Sequence, residues 1–342
     1  MTEKPAVINT EKIVQDILDS IDREREREII ARRYGLFDRK ETLEQIGELL
    51  GITRERVRQL EKSVMTRLRT SGTALPHIAE VETTLLAALT EVGETARITA
   101  LAAKITAENT RTDQSRLAFL TELCPNIAVV SEDDTYFQAA GSAAIHDEKV
   151  IKQEVSQIVE TIKKAGKPVT TRDMAKLMNM SNENYAVALA SIGKQLATLN
   201  GRWGLVKWPT VNPKNIRDKI YVILSENKRH MHFNEIAEAI KASDFKRKDV
   251  TTQAIHNELI KDKRFVLIGR GIYALSEWGY QKGTVADIIS EVLREAGEPL
   301  HRDEIVRRVL KSRFVKETTI LLNPQSKPQF KRVAKATYEL AE

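Results

Sequence analysis

Between Thr42 and Arg69, apolar residues recur at the spacing of two consecutive amphipathic helices, with Gly51 between them. Thr42 and Gln45 have the spacing of a capping box, which begins a helix. Thr53 is suited to cap the second helix, because its hydroxyl can accept a hydrogen bond from the first helical turn. Two helices separated by a short turn led by glycine predict a helix-turn-helix. Leu43, Ile46 and Leu50 are predicted to share one face of the first helix. The predicted buried stripe of the second helix is Val57, Leu60, Val64 and Leu68.

The opposite face of the second predicted helix is polar and charged. A helix that reads DNA presents the residues near its N-terminus to base edges in the major groove. Arginine can bond guanine, glutamate can accept from cytosine, and glutamine can bond adenine. Charged residues also fill ordinary solvated helix faces, so that alternative stays open. The candidate DNA-binding residues are Thr53, Arg54, Glu55, Arg58, Gln59 and Lys62.

After this helix, a pattern of a helix, a short extended stretch and further helices recurs along the chain. Residues 166–175 match residues 297–306 position for position. Each repeat closes with alternating apolar residues around a turn, as at Arg270 and Gly271, which predicts a β-hairpin. Residues 139–142, Ala-Ala-Gly-Ser, are interpreted as a linker between repeats.

Three helices followed by a hairpin is the plan of a winged helix, although small α+β cores without that function fit the same pattern. The predicted fold class is therefore mainly α with small β-hairpin wings, an N-terminal helix-turn-helix being followed by a tandem array of winged-helix domains. The predicted domains are the helix-turn-helix at 11–70, an acidic winged helix at 77–140, and further winged helices at 150–208, 215–278 and 284–342.

The charge of the 342-residue chain is mildly basic, with a formal net charge of +6 and a pI near 9.2. This balance suggests a polyanionic partner. Residues 71–150 contain 5 Lys and Arg against 12 Asp and Glu, so that segment is expected to lie away from nucleic acid. The cations predicted to contact phosphates in the later repeats are Lys246, Arg247, Lys248, Lys311, Arg313 and Lys316.

Several classes of protein are disfavoured by the same sequence. The sequence contains no apolar run long enough to span a bilayer, so a cytoplasmic, nucleoid-associated protein is expected. A single cysteine, Cys124, excludes a disulfide framework. The six histidines are scattered, and Gly269-Arg270-Gly271 lacks the third glycine of a dinucleotide loop. We therefore expect no enzyme activity, no cofactor and no metal.

Three motifs resemble a known family: residues 28–36 (EIIARRYGL), 42–47 (TLEQIG) and 52–61 (ITRERVRQLE). Together they make residues 13–70 similar to region 4 of primary bacterial sigma factors. The resemblance implies a domain that reads the promoter −35 element and docks on the flap of the RNA polymerase β subunit. It implies that Arg54, Glu55, Arg58 and Gln59 occupy base-reading and phosphate-contacting positions. The docking surface implied for the flap comprises residues 13–36 and the helix end near Met65 and Leu68.

The C-terminal repeats resemble a second family. Residues 265–278 and 309–340 look like HARE-type winged helices, similar to the N-terminal domain of the polymerase delta subunit, and this likeness covers residues 215–342. Residues 77–208 resemble winged helices only generically. HARE-type domains also occur beside restriction enzymes, so a nuclease-associated specificity subunit is a third, weaker alternative.

The favoured function is that of a DNA-binding transcription regulator that reads a −35-like promoter element and contacts RNA polymerase. The alternative is a delta-like module that binds polymerase or other proteins and touches DNA incidentally. Sigma factors melt promoters through region 2, which precedes region 4, and only about a dozen residues precede the region-4-like segment here. The chain is therefore expected to dock without opening a promoter.

Overall fold

Helices dominate the structure, and its strands form small sheets. The computed structural model describes residues 7–180, 182–245, 249–280 and 282–341. The chain divides into two compact units, Met1–Lys207 and Trp208–Glu342. The strands lie in four three-stranded sheets, and all paired strands are antiparallel. The prediction of a mainly α chain with small β-hairpins is confirmed.

The first unit begins with four helices. Asn9 caps the first of them, since its side chain accepts a hydrogen bond from the Lys12 amide. Thr42 forms the predicted capping box with Gln45, and Gly51 ends that helix in the left-handed conformation at φ 63°, where glycine carries little steric cost. The helices are α1 (Thr10–Asp19), α2 (Glu24–Tyr34), α3 (Leu43–Leu50) and α4 (Arg54–Ser71).

Four segments with one connectivity follow, and we call them modules 1 to 4. In each module the strand that follows the first helix pairs with the last strand, which forms the centre of the sheet. Module 1 comprises α5 (Ile78–Val92), β1 (Thr95–Arg97), α6 (Ile98–Ile105), α7 (Arg111–Leu123), β2 (Ile127–Val130) and β3 (Ala139–Ser142). Module 2 comprises α8 (Glu148–Ala165), β4 (Val169–Thr170), α9 (Thr171–Leu177), α10 (Glu183–Ile192), β5 (Leu196–Leu199) and β6 (Arg202–Leu205).

Strand β3 corrects the interpretation of residues 139–142 as a linker. All four residues are buried, and the strand pairs with both β1 and β2. The small side chains are required by packing, because a Cβ at Gly141 would lie 2.9 Å from Ile151 Cδ1 and 3.1 Å from Thr95 Cγ2. A run of small residues is typical of a linker, but here it allows β3 to pack at the centre of the sheet, where neighbouring side chains leave little space.

Module 1 shares its hydrophobic core with the four N-terminal helices. Helix α7 lies against α1, α2 and α4. Phe119, which is fully buried in α7, meets the ring of Tyr34 edge to face at 5.1 Å between centroids. The helix-turn-helix segment and module 1 are therefore packed as one body.

Module 2 packs on module 1 through its third helix. Helix α10 lies against β1 and α5. A Cβ at Gly93, which has φ 107°, would lie 2.6 Å from the Tyr185 amide nitrogen, so only glycine allows this approach. Beside it, the Phe137 amide donates to the Ile192 carbonyl at 2.9 Å.

The second unit contains modules 3 and 4. The predicted turn at Arg270 and Gly271 is confirmed, since Gly269 pairs with Ile272 across it. Module 3 comprises α11 (Ile216–Asn227), β7 (Met231–His232), α12 (Phe233–Ala242), α13 (Thr252–Lys261), β8 (Phe265–Gly269) and β9 (Ile272–Leu275). Module 4 comprises α14 (Val285–Ala296), β10 (Leu300–His301), α15 (Arg302–Ser312), α16 (Glu317–Ser326), β11 (Phe330–Ala334) and β12 (Thr337–Leu340).

Modules 3 and 4 meet at the edge of β8. The Phe314 amide, between α15 and α16, donates to the Ile268 carbonyl at 3.1 Å. A Cβ at Gly269 would lie 2.5 Å from the Phe314 carbonyl oxygen. The edge of β8 is thus capped by a short segment of the next module, and glycine permits the contact.

Candidate nucleic-acid interface

Helix α4 has one face fixed in the core and one face in solvent. The Thr53 hydroxyl accepts a hydrogen bond from the Arg56 amide at 3.2 Å and so caps its N-terminus. The fully buried Val57 packs with Ile29 and Ile46. Leu60, predicted as buried, is only partly so. The buried residues of α4 are Val57, Val64, Met65 and Leu68.

The six candidate DNA-binding residues all lie on the solvent side. Each has an exposed side chain, and they occupy the cap and the first half of α4. Side chains in this position are free to reach base edges in a major groove. The residues are Thr53, Arg54, Glu55, Arg58, Gln59 and Lys62.

Three of these side chains are joined in one hydrogen-bonded group. The Arg58 guanidinium donates to both oxygens of Glu55, at 2.7 Å from Nη2 and 2.9 Å from Nε. The amide of Gln59 donates to Glu55 Oε1 at 3.4 Å. The hydrogen bond from Arg58 holds the pKa of Glu55 below its ordinary range, while Glu55 raises the pKa of Arg58. Glu55 is therefore an ionised acceptor at neutral pH, as contact with cytosine N4 requires.

The charge of α4 separates it from the third helices of the modules. Helix α4 carries six cationic residues against two carboxylates. Helix α7 carries two of each and α13 carries one of each, whereas α10 and α16 each carry a single glutamate and no cation. Contact with DNA phosphates depends on Lys and Arg. Among these five helices, α4 alone has the charge that suits nucleic acid.

The third helices of modules 1 and 2 are also inaccessible. Seven of the thirteen residues of α7 and five of the ten residues of α10 are buried. A helix packed in this way cannot enter a groove unless the unit opens.

The surface that the sigma resemblance implied for flap docking is covered in this structure. Ile17, Leu18, Met65 and Leu68 are buried in the same core as α5 and α7. Polar contacts lie at the border of this surface, and Glu122 of α7 takes part in two of them. The contacts are Tyr34 Oη to Glu122 at 2.9 Å, Arg69 Nη2 to Glu122 at 2.6 Å, and Arg116 Nε to the Leu36 carbonyl at 2.7 Å.

One predicted phosphate contact is wrong. Arg313 is buried, and its guanidinium donates to the Leu267 carbonyl at the contact between modules 3 and 4. Burial lowers the pKa of Arg313 and leaves the side chain no access to a phosphate. Lys311 and Lys316 are exposed. Lys246, Arg247 and Lys248 lie outside the described residues.

Metal binding, membrane spanning and thiol reactivity each depend on features that can be located in the part of the chain that the structure describes. No group of three or more His, Cys, Asp and Glu residues there is placed to hold a metal ion. No described helix is both long and apolar enough to cross a membrane. Cys124 is buried, which raises the pKa of its thiol to about 12 and keeps it in the unreactive protonated form.

The family "Sigma-70, region 4" matches residues 23–70, which hold α2, α3 and α4. The chain is 44% identical over 57 residues to the RNA polymerase sigma factor SigA of Bacillus sp, a match covering 16% of this chain and 15% of the relative. It is 46% identical over 57 residues to SigA of Nostoc sp., covering 16% and 14%. To RpoD of Helicobacter pylori it is 47% identical over 58 residues, covering 16% and 8%.

The family match includes α4, the helix that carries the candidate reading face. The matches to the relatives are short. They span at most 15% of the length of the three relatives. Residues 23–70 of this chain are a sigma-70 region 4 domain, and they make up a small part of it.

Proposed function

We propose that the chain is a DNA-binding transcription regulator that reads a −35-like promoter element through α4. The observation that carries this proposal is the exposed face of α4, where Arg54, Glu55, Arg58 and Gln59 lie side by side in a region 4 domain. Arginine, glutamate and glutamine together can distinguish guanine, cytosine and adenine. Thr53 and Lys62, at the two ends of this face, complete the proposed set of DNA-binding residues. Such binding would place the protein on the nucleoid.

The test is selection from random duplex DNA by the purified full-length chain. We expect a −35-like hexamer to be enriched, and a genome-wide map of bound DNA to coincide with polymerase at promoters. If no sequence is enriched and the affinity depends on salt alone, the chain binds DNA nonspecifically.

RNA polymerase is the second partner that we propose. The relatives are named RNA polymerase sigma factors, and residues 23–70 match the family of sigma-70 region 4. Because the apolar face of this domain is covered by α7, the β flap can dock there only if module 1 moves aside. Co-purification with core polymerase, with and without flap-deleted β subunit, tests whether the flap is the site.

We also propose that each module is a winged helix and that modules 3 and 4 are of the HARE type. Module 1 then extends to Ser142, past the predicted bound at 140, and module 2 begins at Glu148, before the predicted bound at 150. The shared connectivity of the four sheets supports this assignment. The neutral or acidic third helices favour protein partners over DNA for these modules.

That preference supports the second candidate function, a protein-binding module with incidental DNA contact. Exposed apolar residues on the hairpins, Leu267 and Val333, agree with it. Replacing Lys311 and Lys316 by Gln discriminates the two functions. Each lost phosphate contact flattens the salt dependence of binding by about 0.9 in slope, whereas an unchanged slope assigns module 4 to a protein partner.

A further inference from the structure

A cationic cleft of about 300 Å³ lies where the helix-turn-helix segment meets module 1. Lys40 reaches it from the loop between α2 and α3, Arg97 from the end of β1, and Arg111 from the start of α7. None of these three cations forms an ion pair with any carboxylate among the described residues. The cleft therefore gathers positive charge that the folded chain does not neutralise.

The remaining lining adds hydrogen-bond donors. Thr99 and Ser115 line the cleft, and within the described ranges neither hydroxyl has a hydrogen-bond partner. One carboxylate, Glu132, is also present, but Lys194 holds it at 2.8 Å. The side chains of two cations, Lys40 and Arg111, and the two hydroxyls are thus unengaged. Together with Arg97 they provide the donor set that an oxyanion requires.

Arg97 is held in place as a fixed part of this cleft. Its guanidinium lies 3.7 Å from the centroid of the Phe137 ring, and its Nε donates to the Ser191 carbonyl. Burial lowers the pKa of Arg97, and no carboxylate offsets that cost. An anion in the cleft would supply the missing countercharge.

We propose that the cleft formed by Lys40, Arg97 and Arg111 binds a phosphate group. Arginine pairs with phosphate through two parallel hydrogen bonds, which a monovalent halide cannot reproduce. The phosphate has two possible sources, the backbone of duplex DNA flanking the site read by α4, and a free nucleotide. Lys40 lies two residues before the cap of α3, Thr42, so the cleft borders the helix-turn-helix that we assign to DNA.

The test uses the full-length chain with Lys40→Gln and Arg111→Gln combined, and leaves Arg97 intact because it joins modules 1 and 2. Both replaced side chains are exposed and unpaired, so folding is preserved. The matched control combines Arg39→Gln and Lys12→Gln, which remove the same charge from exposed positions of the same unit that do not line the cleft.

The first arm measures binding to a −35-like duplex with ten flanking base pairs on each side, and rests on the proposed function. We expect the slope of log affinity against log salt to fall by up to about 1.8 in the cleft variant, from about 0.9 for each lost contact. The control should keep the wild-type slope.

The second arm is independent of DNA. Inorganic phosphate and ATP without divalent cations are titrated against the thermal midpoint of the chain. A rise in midpoint that disappears in the cleft variant and persists in the control identifies a free phosphate ligand. A lower salt slope in the first arm supports the site and identifies DNA as the source of the phosphate. Loss of the thermal shift in the second arm supports the site and identifies a free phosphate ligand. Wild-type behaviour of the cleft variant in both arms, or an equal loss in the control, overturns the proposal, while sequence selection by α4 is judged separately.

Discussion

Arg58 binds both carboxylate oxygens of Glu55 one turn earlier on α4, and both side chains are exposed to solvent. In the free protein the two central groups of the candidate reading face therefore satisfy each other. On DNA, Glu55 can stay hydrogen-bonded to one guanidinium nitrogen while the remaining donors of Arg58 face a base or phosphate. In the proposed DNA complex, this existing order of the two side chains reduces the ordering cost of binding.

Replacing Arg54 or Glu55 by Ala should weaken binding to a −35-like site by about 1 to 3 kcal/mol, because each substitution removes a base contact. Binding to random DNA should change little, since phosphate contacts carry no sequence information. Competition titrations with specific and random duplexes measure both quantities. Lys12→Ala, at an exposed position on α1, is the control. Equal losses on the two kinds of duplex would contradict base reading.

Removing the guanidinium of Arg58 should raise the pKa of Glu55 toward its ordinary value of 4.5. In the wild type the pKa of Glu55 is depressed below 4.5. The stability that its ionised pair with Arg58 contributes is therefore complete above pH 4.5 and is lost as the pH falls through the lower pKa of the folded state. NMR titration of the Glu55 carboxyl carbon in Arg58→Ala and in Arg56→Ala checks this. Arg56 bonds Gln59 and not Glu55, so its removal should leave the titration near that of the wild type.

Phe119→Ala should destabilise the first unit by about 3 to 5 kcal/mol, as expected when a fully buried aromatic ring is deleted. The cavity would open between α7 and Tyr34, so the helix-turn-helix segment and module 1 should lose stability together. Denaturant unfolding measures the change. Leu177→Ala in the same unit is the control, because that side chain is 55% exposed. A wild-type midpoint for Phe119→Ala would show that α7 does not hold the two parts together.

Gly269→Ala should destabilise the second unit by about 1 to 3 kcal/mol, the usual cost of forcing extra atoms into a filled site. The added methyl group would collide with the Phe314 carbonyl, which is backbone and cannot rotate away. Limited proteolysis between α15 and α16 should also become faster. Arg270→Ala, in the adjacent exposed turn, is the matched control. Unchanged proteolysis would mean that modules 3 and 4 accommodate the methyl group.

Binding of this chain and of sigma region 4 to one −35-like element should be mutually exclusive, since one segment of major groove accommodates one recognition helix. Gel-shift titration of a promoter fragment with both proteins checks this. A complex that contains both on a single element would place α4 outside the groove.

Local sequence was sufficient to predict which face of α4 lies in solvent. Thr42, Gly51 and Thr53 set the ends of α3 and α4 through caps and a left-handed glycine, which act within one helical turn. Helical periodicity then placed Glu55 opposite Val57, with Arg54 at the helix start. The turn at Arg270 and Gly271 was predictable for the same reason.

Contacts between residues distant in sequence decided the rest. Arg313 belongs to a charged surface run in the sequence, yet it is buried because the segment before α16 caps the edge of β8. Residues 139–142 became a central strand because β1 and β2 lie on either side of it. The apolar face around Met65 and Leu68 is closed by α7, about fifty residues further along the chain. An amphipathic pattern shows that a face must be covered, and only the tertiary structure shows that this chain covers it itself.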